Sequence, residues 1–204
     1  MTKRENSIFV GIIKYPGSNA QSVVNAFARL GIPCIVSTDI TVIRDVTHIV
    51  IPGQGEASTL MGALRSAQLT EYLAETEKPI LGICLGMQAL FEHSEEGETP
   101  LLGISPGSVR RLTKDKQLPH TGWASVRYRA PGQFFKLIPN GEYFYFLHSY
   151  RAPSCDFTVA EVAYGNEVFP AAVVVGRRVG VQFHPEKSGA AGAQFLQNFI
   201  EAQF

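Results

Sequence analysis

The sequence predicts an α/β fold in which helices flank a mostly parallel central sheet and an additional region of antiparallel strands follows. In the first half of the chain, short apolar and β-branched runs alternate with segments of helical periodicity, a pattern typical of parallel sheets covered on both faces. In the second half, strand-like runs follow one another with no helical segment between most of them. Because the chain has 204 residues and no repeat or linker, we expect a single domain spanning residues 1–204.

The first half supplies the predicted parallel strands and their covering helices. The first helix illustrates the pattern, since Val23, Phe27 and Leu30 recur at helical spacing before a terminating glycine. The predicted strands are Ser7–Ile13, Pro33–Ser37, Thr47–Ile51 and Pro79–Ile83, and the predicted helices are Asn19–Leu30, Thr59–Thr76 and Leu85–His93.

The second half is predicted to be rich in short strands, with a turn at Arg177-Arg178 joining the last two as a hairpin. A closing helix over Ala190–Ala202 carries one apolar stripe. The predicted strands are Val109–Leu112, Trp123–Tyr128, Glu142–Leu147, Phe157–Ala163, Ala171–Val175 and Val179–Phe183.

Composition argues against several classes of protein. The formal net charge is zero, so neither a nucleic-acid footprint nor a polybasic membrane face is indicated. No apolar run approaches the roughly 20 residues of a spanning helix, and the apolar segment near the N-terminus is too short for a signal peptide. The three cysteines form no CxxC pair, so we expect free thiols in a reducing cytoplasm. No metal or organic cofactor is expected.

Cys84 is the leading candidate for a nucleophile. It lies in Gly82-Ile83-Cys84-Leu85-Gly86, between an apolar strand and a predicted helix. Small residues two positions either side of a nucleophile allow a tight strand-to-helix turn, and a helix N-terminus favours a thiolate. The alternative is a structural cysteine buried in a strand core.

A cysteine nucleophile needs a base, and His184 is the strongest of the five histidines. It follows a predicted strand, where open α/β sheets place their chemistry, and Glu186, two residues on, is suited to orient the imidazole. His48 and His93 are expected to be surface or capping residues. Backbone donors for an oxyanion are expected at Leu85 and in the loop Pro52–Gly55, which otherwise reads as a plain strand-to-helix turn.

Six motifs carry a resemblance to a known family. GICLGMQ (Gly82–Gln88) and GVQFHPEKSG (Gly180–Gly189) resemble the two signatures of class I, or triad, glutamine amidotransferases. Within that family the chain is most similar to the glutaminase subunits of imidazole glycerol phosphate synthase, of histidine biosynthesis. The supporting motifs, at compatible spacing, are IPGxG (Ile51–Gly55), LFEHSEEG (Leu90–Gly97), LPHTGW (Leu118–Trp123) and YFLHSY (Tyr145–Tyr150).

The resemblance implies that Cys84 attacks L-glutamine to form a glutamyl thioester, with His184 as acid and then base and Glu186 orienting it. It assigns the oxyanion contacts to backbone amides of Gly53, Gln54 and Leu85. The residues that it implies for binding glutamine are Gly55, Gln88, Glu96, His148, Ser149 and Tyr150.

The resemblance also implies a partner. Similar subunits form a heterodimer with a (β/α)₈ barrel cyclase, dock on the mouth of the barrel and pass ammonia to it. The positions that match this docking face are Pro119, His120, Trp123, Tyr145 and Lys187. On composition alone, Trp123 in a strand is as readily a core residue.

The chain departs from the family pattern in three loops. They contain Lys14-Tyr15-Pro16-Gly17-Ser18-Asn19, Gln54-Gly55-Glu56-Ala57, and Thr121 with Ala124. Two alternatives therefore stay open. In the first, the same glutaminase chemistry serves a paralogous synthase, of amino-sugar, purine or pyridoxal phosphate assembly. In the second, the chain is a docking subunit without turnover.

Overall fold

The computed structural model describes residues 8–113 and 117–204, so Ser7 of the first predicted strand lies outside the described residues. The strands are β1 (Val10–Ile13), β2 (Cys34–Ser37), β3 (His48–Ile51), β4 (Ile80–Ile83), β5 (His93–Ser94), β6 (Thr99–Pro100), β7 (Ser108–Arg111), β8 (His120–Tyr128), β9 (Tyr143–His148), β10 (Tyr150–Arg151), β11 (Thr158–Tyr164), β12 (Glu167–Val175) and β13 (Arg178–Val181). The α-helices are α1 (Ala20–Arg29), α2 (Ile40–Asp45), α3 (Ala57–Ser66), α4 (Leu69–Glu75), α5 (Leu85–Gln88) and α6 (Gly189–Glu201). Three 3₁₀ turns span Glu96–Glu98, Gly132–Phe135 and Pro185–Lys187.

One nine-stranded sheet organises the molecule, in the order β2-β1-β3-β4-β13-β12-β11-β8-β9. The first five strands of that order pair in parallel, and the rest pair antiparallel. The predicted α/β fold is confirmed, and the antiparallel region proves to be a continuation of the same sheet. β13 joins the two halves, so the loop that follows it lies beside the loop that follows β4.

A second, smaller sheet packs near the carboxyl ends of the parallel strands. It has four short strands in the order β10-β7-β5-β6. Its strand β10 comes directly after β9 along the chain, and β5 comes shortly after α5. The small sheet therefore pairs chain that follows Cys84 with chain that follows His148.

Two predicted helices differ from the observed ones. Thr59–Thr76 is split into α3 and α4, because Gln68 adopts a left-handed conformation with φ 56°. The helix predicted over Leu85–His93 ends at Gln88. Ala89, Leu90 and Phe91, which follow it, are apolar and fully buried, so their apolar character reflects burial and gives no helical periodicity.

Local sequence signals explain several boundaries. α1 begins where the Asn19 side chain accepts a hydrogen bond from the Ser22 N–H. α2 was not predicted, although Asp39 caps it by accepting from the Thr41 N–H at 2.8 Å. The final hairpin turns at Gly176-Arg177, one residue before the predicted position, because Gly176 supplies the positive φ of 57°.

Phenylalanine side chains fill the core under the antiparallel half. Phe144 and Phe146 of β9 meet Phe183, which in turn packs against Phe195 of α6. His48, expected at the surface or as a cap, is instead buried, with its ring edge-on to Phe199. Within residues 8–113 and 117–204, no helix is long and apolar enough to cross a membrane.

Candidate active site

Cys84 lies on a sharp turn between β4 and α5. Its backbone has φ 50° and ψ −103°, a conformation that costs a non-glycine residue of the order of 1–3 kcal/mol and is found mostly at functional sites. The Cys84 N–H donates to the Val181 carbonyl of β13 at 2.6 Å, and the following helix has four residues. The turn predicted from the glycine spacing is therefore present, but the helix beyond it is a single turn.

Close backbone packing holds this turn. A Cβ added at Gly82 would overlap the Gly86 carbonyl, and one added at Gly86 would overlap the Ile51 carbonyl of β3. Gly53, in the loop after β3, is just as close, since its Cβ would lie 2.6 Å from the Cβ of Cys84. Only glycine fits at these positions because the backbones are in contact.

His184 and Glu186 follow β13 and are buried. Nδ1 of His184 lies 2.8 Å from Oε1 of Glu186, and the two side chains are 1% and 3% exposed. Burial alone would lower the pKa of His184, but the charge of the nearby Cys84 and the carboxylate of Glu186 raise it to about 10. The raised pKa keeps the imidazole of His184 charged at neutral pH. Nε2 of His184 and Oε2 of Glu186 have no hydrogen-bond partner among the described residues.

Ser188 fixes the segment that carries this histidine, a role that sequence reasoning missed. Its hydroxyl donates to the His184 carbonyl at 2.7 Å and accepts from the Tyr145 N–H at 3.0 Å. The His184 N–H donates to the Tyr145 carbonyl at 2.8 Å. The N–H and the carbonyl of Tyr145 therefore both anchor the segment that carries His184 to β9.

A cavity of about 290 Å³ opens above Cys84, at the lower end of the roughly 300–1,000 Å³ usual for small-molecule sites. It brings together the residues expected to bind the oxyanion and the substrate, which come from four separate stretches of chain. The lining residues are Gly53, Gln54, Gly55, Cys84, Leu85, Gln88, Glu96, Leu147, His148, Ser149 and Tyr150.

Two buried glutamines connect the wall of this cavity to the sulfur. Gln88 Nε2 donates to the Tyr150 carbonyl at 2.8 Å and to Gln182 Oε1 at 3.0 Å. Gln182 Nε2 then donates to Cys84 Sγ at 3.3 Å. Gln182 was not among the predicted site residues, because a polar residue in an apolar strand gives no sign of what it faces.

The loop after β3 contacts Tyr15, another residue that the sequence did not single out. The Tyr15 hydroxyl donates to the Pro52 carbonyl at 2.8 Å, and its ring packs against Gly55. Burial raises the pKa of Tyr15, as does the charge of Cys84, while the backbone N–H of Gln54 lowers it. The Gln54 N–H, one of the predicted oxyanion donors, thus interacts with this phenol in the structure.

Glu96 closes one side of the cavity. Its Oε2 accepts from the Ala57 N–H at 2.9 Å, and Ala57 is the first residue of α3, whose preceding Glu56 gives no side-chain cap. Burial raises the pKa of Glu96, an effect that the Ala57 N–H opposes. Glu96 therefore caps a helix from 39 residues away while it lines the cavity.

His148 on the cavity wall and His120 behind it form a neutral pair. Their rings meet through Nε2 of His148 and Nδ1 of His120, 3.1 Å apart, and Nδ1 of His148 lies 2.8 Å from the Tyr150 carbonyl. Burial lowers the pKa of His148 to about 3, and that of His120 to about 4. At neutral pH neither ring carries the positive charge that would attract a carboxylate.

Comparison with known proteins decides the family. A model of the glutamine amidotransferase class-I family matches residues 12–202. The chain belongs to the class I glutamine amidotransferases. The resemblance inferred from its motifs is confirmed.

Individual relatives narrow the assignment within this class. The chain is 45% identical over 199 residues to the imidazole glycerol phosphate synthase subunit HisH 1 of Vibrio vulnificus, covering 94% of this chain and 97% of that one. It is 44% identical over 186 residues to the corresponding HisH subunit of Yersinia pseudotuberculosis, covering 90% and 94%. The amidotransferase therefore belongs to the family of these HisH subunits.

A solved structure supports the fold. PurLQS from Thermotoga maritima contains a chain that superposes with a TM-score of 0.73 at 20% identity, covering 96% of this chain and 98% of that one. At this level of identity the similarity concerns the fold alone.

Four of the five residues expected at a docking face of the amidotransferase are wholly or partly accessible. Trp123 is 55% exposed and meets Tyr145 edge-on, and Lys187 Nζ lies 5.9 Å from the centre of the Tyr145 ring. Pro119 is exposed. His120 differs, since it is 3% exposed and stacks beneath the surface on Phe146 and Tyr164. Its side chain cannot touch a partner in this conformation.

Within residues 8–113 and 117–204 of the amidotransferase, no group of three or more His, Cys, Asp or Glu side chains is arranged to hold a metal ion.

Proposed function

We propose that this chain hydrolyses L-glutamine to glutamate and ammonia, and passes the ammonia to a (β/α)₈ barrel cyclase subunit that makes imidazole glycerol phosphate for L-histidine biosynthesis. The observation that carries the proposal is the cavity above Cys84, which unites the nucleophile with every residue expected to bind glutamine or its oxyanion. The identity to HisH subunits supports the choice of pathway.

In the proposed reaction, the Cys84 thiolate attacks the side-chain amide carbon of glutamine. The developing oxyanion accepts hydrogen bonds from the backbone N–H groups of Leu85 and of Gly53 or Gln54. His184 protonates the leaving nitrogen, so that ammonia departs and a glutamyl thioester remains. His184 then takes a proton from water, which attacks the thioester and releases glutamate and the free thiol.

The remaining cavity residues are proposed to hold the amino-acid end of glutamine. Gln88 uses both of its N–H bonds on the Tyr150 carbonyl and Gln182, so its carbonyl oxygen is the group left to accept from the substrate ammonium. The carboxylate of Glu96, on the same cavity, suits that ammonium too. Gly55, His148, Ser149 and Tyr150 complete the wall.

The proposed partner surface is the exposed face of β8 and β9 near the catalytic segment. Trp123 and Tyr145 supply the aromatic surface that is common at interface centres, and Lys187 adds a cation beside the Tyr145 ring. We further propose that residues 1–204 form one amidotransferase domain, and that the heterodimer works in the cytoplasm, where its thiol stays reduced.

The direct test is glutamate release from L-glutamine, measured with the chain alone and then with a barrel cyclase and its ribonucleotide ligand. We expect turnover that the cyclase stimulates and that Cys84→Ala abolishes. Turnover that survives Cys84→Ala would overturn the proposed mechanism.

Two other outcomes distinguish the alternatives. Turnover without stimulation by the cyclase, with Cys84 still labelled by a glutamine-analogue diazoketone, would assign the glutaminase to a different synthase. Absence of both turnover and labelling would identify a docking subunit without activity.

A further inference from the structure

We infer that Gln182 is a catalytic residue, whose side-chain N–H stabilises and aims the thiolate of Cys84. The inference rests on the proposed glutaminase reaction and adds to it a residue outside the Cys84, His184 and Glu186 set. Gln182 is fully buried, and its Nε2 lies 3.3 Å from Cys84 Sγ.

Burial makes the contact energetically significant. A buried primary amide that left its groups unpaired would cost folding free energy, and Gln182 satisfies its oxygen with Gln88 and its nitrogen with the sulfur. Since a hydrogen bond to a charged group is stronger than a neutral one, the N–H contact favours the thiolate over the thiol.

The surrounding hydrogen bonds fix which end of the Gln182 amide faces the sulfur. The Tyr150 carbonyl only accepts, so the end of Gln88 that contacts it is the NH₂ group. The same NH₂ group contacts Gln182, so Gln182 must present its oxygen there. The NH₂ of Gln182 is thereby directed at Cys84. The Tyr150 carbonyl of β10 thus determines how both glutamine amides are oriented.

Few other groups near the Cys84 sulfur affect its charge. The Cys84 thiol lies 3.7 Å from the Leu147 carbonyl of β9, an acceptor that favours the protonated sulfur. The titratable groups that face the sulfur are Tyr15, before α1, and His184, after β13, with Glu186 behind the imidazole and His148 beyond it. α5 contributes no charged side chain. Gln182 is therefore the neutral donor that supports the thiolate independently of the imidazolium.

The experiment compares Gln182→Leu and Gln182→Glu with the unaltered chain in complex with its cyclase. The rate of Cys84 alkylation by iodoacetamide is followed against pH, with the modified peptide quantified by mass so that Cys34 and Cys155 do not interfere. We expect the midpoint to rise by about one pH unit in Gln182→Leu and further in Gln182→Glu, where a carboxylate faces the sulfur.

Steady-state kinetics give an independent readout. Loss of the N–H should lower kcat for glutamine about 10- to 100-fold. Gln182→Glu keeps an oxygen for Gln88 to donate to, so its KM should stay within about threefold while kcat falls. A merely structural role would leave the alkylation midpoint unmoved.

Asn198→Leu is the matched control. Asn198 is also a buried amide, donating to the Phe134 and Lys136 carbonyls far from Cys84, so its loss should lower stability without shifting the alkylation midpoint. Unchanged midpoints in both Gln182 variants would overturn the inference. Absence of glutamine hydrolysis in the unaltered complex would instead count against the proposed function, because the midpoints are measured without glutamine.

Discussion

Two neighbouring turns build the site, and they are held in different ways. The turn after β4, which carries Cys84, is fixed by backbone packing that excludes a Cβ at Gly82 and Gly86. The turn after β3, with Gly53 and Gln54, is half-exposed, and its described contacts include the hydroxyl of Tyr15 on the Pro52 carbonyl. Cys84 is thus part of the core, whereas the proposed oxyanion loop packs closely at Gly53, is half-exposed beyond it and is also held by the hydrogen bond from Tyr15.

The largest effect is expected from breaking the packed turn. In Gly86→Ala the new Cβ would overlap the Ile51 carbonyl of β3, and because backbone cannot yield as a side chain does, we expect a loss of about 3 kcal/mol or more in the free energy of unfolding. Urea denaturation measures it.

Gly62→Ala is the control for that substitution. Gly62 lies in α3 with open space around its Cβ position, so alanine should stabilise the helix by up to about 1 kcal/mol. Equal stability changes at Gly62 and Gly86 would contradict the packing argument.

The next test concerns the contact between the two turns, where Gly53 packs against Cys84. A Cβ at Gly53 would lie 2.6 Å from the Cβ of Cys84 and would push the oxyanion loop outward. We expect Gly53→Ala to lower kcat/KM about 100- to 1,000-fold, the usual cost of losing an oxyanion donor. That Cβ would also overlap the Ile83 carbonyl, but since the loop is half-exposed, stability should fall less than in Gly86→Ala. A larger loss of stability than of activity would show that the loop belongs to the rigid core.

Glu186→Gln removes the negative charge beside His184 and leaves the backbone packing of both turns unchanged. The folded-state pKa of His184 is raised above its usual value, to about 10. Its contribution to stability is therefore complete below about pH 6.5 and is lost as the pH rises toward 10. Without the Glu186 charge this decline should be shallower, and kcat should fall roughly 100-fold.

Urea unfolding at about pH 6.5, 8 and 9.5, in the unaltered chain and in Glu186→Gln, measures the two slopes. Both chains keep Cys84, so the difference isolates the carboxylate. Parallel slopes would mean that Glu186 does not affect the His184 pKa.

The smallest effect concerns the contact that holds the oxyanion loop. Tyr15→Phe removes the hydroxyl that donates to the Pro52 carbonyl, a loss of about 1 kcal/mol. With the loop less well held, kcat should fall about fivefold, while Cys84 alkylation should change less because the packed turn is untouched. A change in alkylation of the same size would show that the two turns are coupled.

The sequence predicted the features that depend on local geometry. The glycines around Cys84 specify a tight turn, and the position of His184 after β13 brings it to the same sheet edge. The helix after Cys84 was predicted too long because residues 89–91 are all apolar and are buried on all sides. Total burial leaves no amphipathic period from which a helix end can be located.

Residues that act through distant contacts were not predictable. Gln182 lies 94 positions from Gln88 and 98 from Cys84, and nothing in a strand sequence states which side chain it will meet. Tyr15 contacts a carbonyl 37 positions away. Such pairings depend on strand order, which the chain's local patterns left undetermined.

The only tryptophan of the chain, Trp123, stands 55% exposed on the face expected to receive the cyclase. Its fluorescence therefore reports this one surface, because the chain has no second indole. In water its emission should lie at long wavelength, and covering the face should shift that emission to the blue. Titration in a fluorimeter would then give the affinity of the assembly with an unlabelled, unmodified protein.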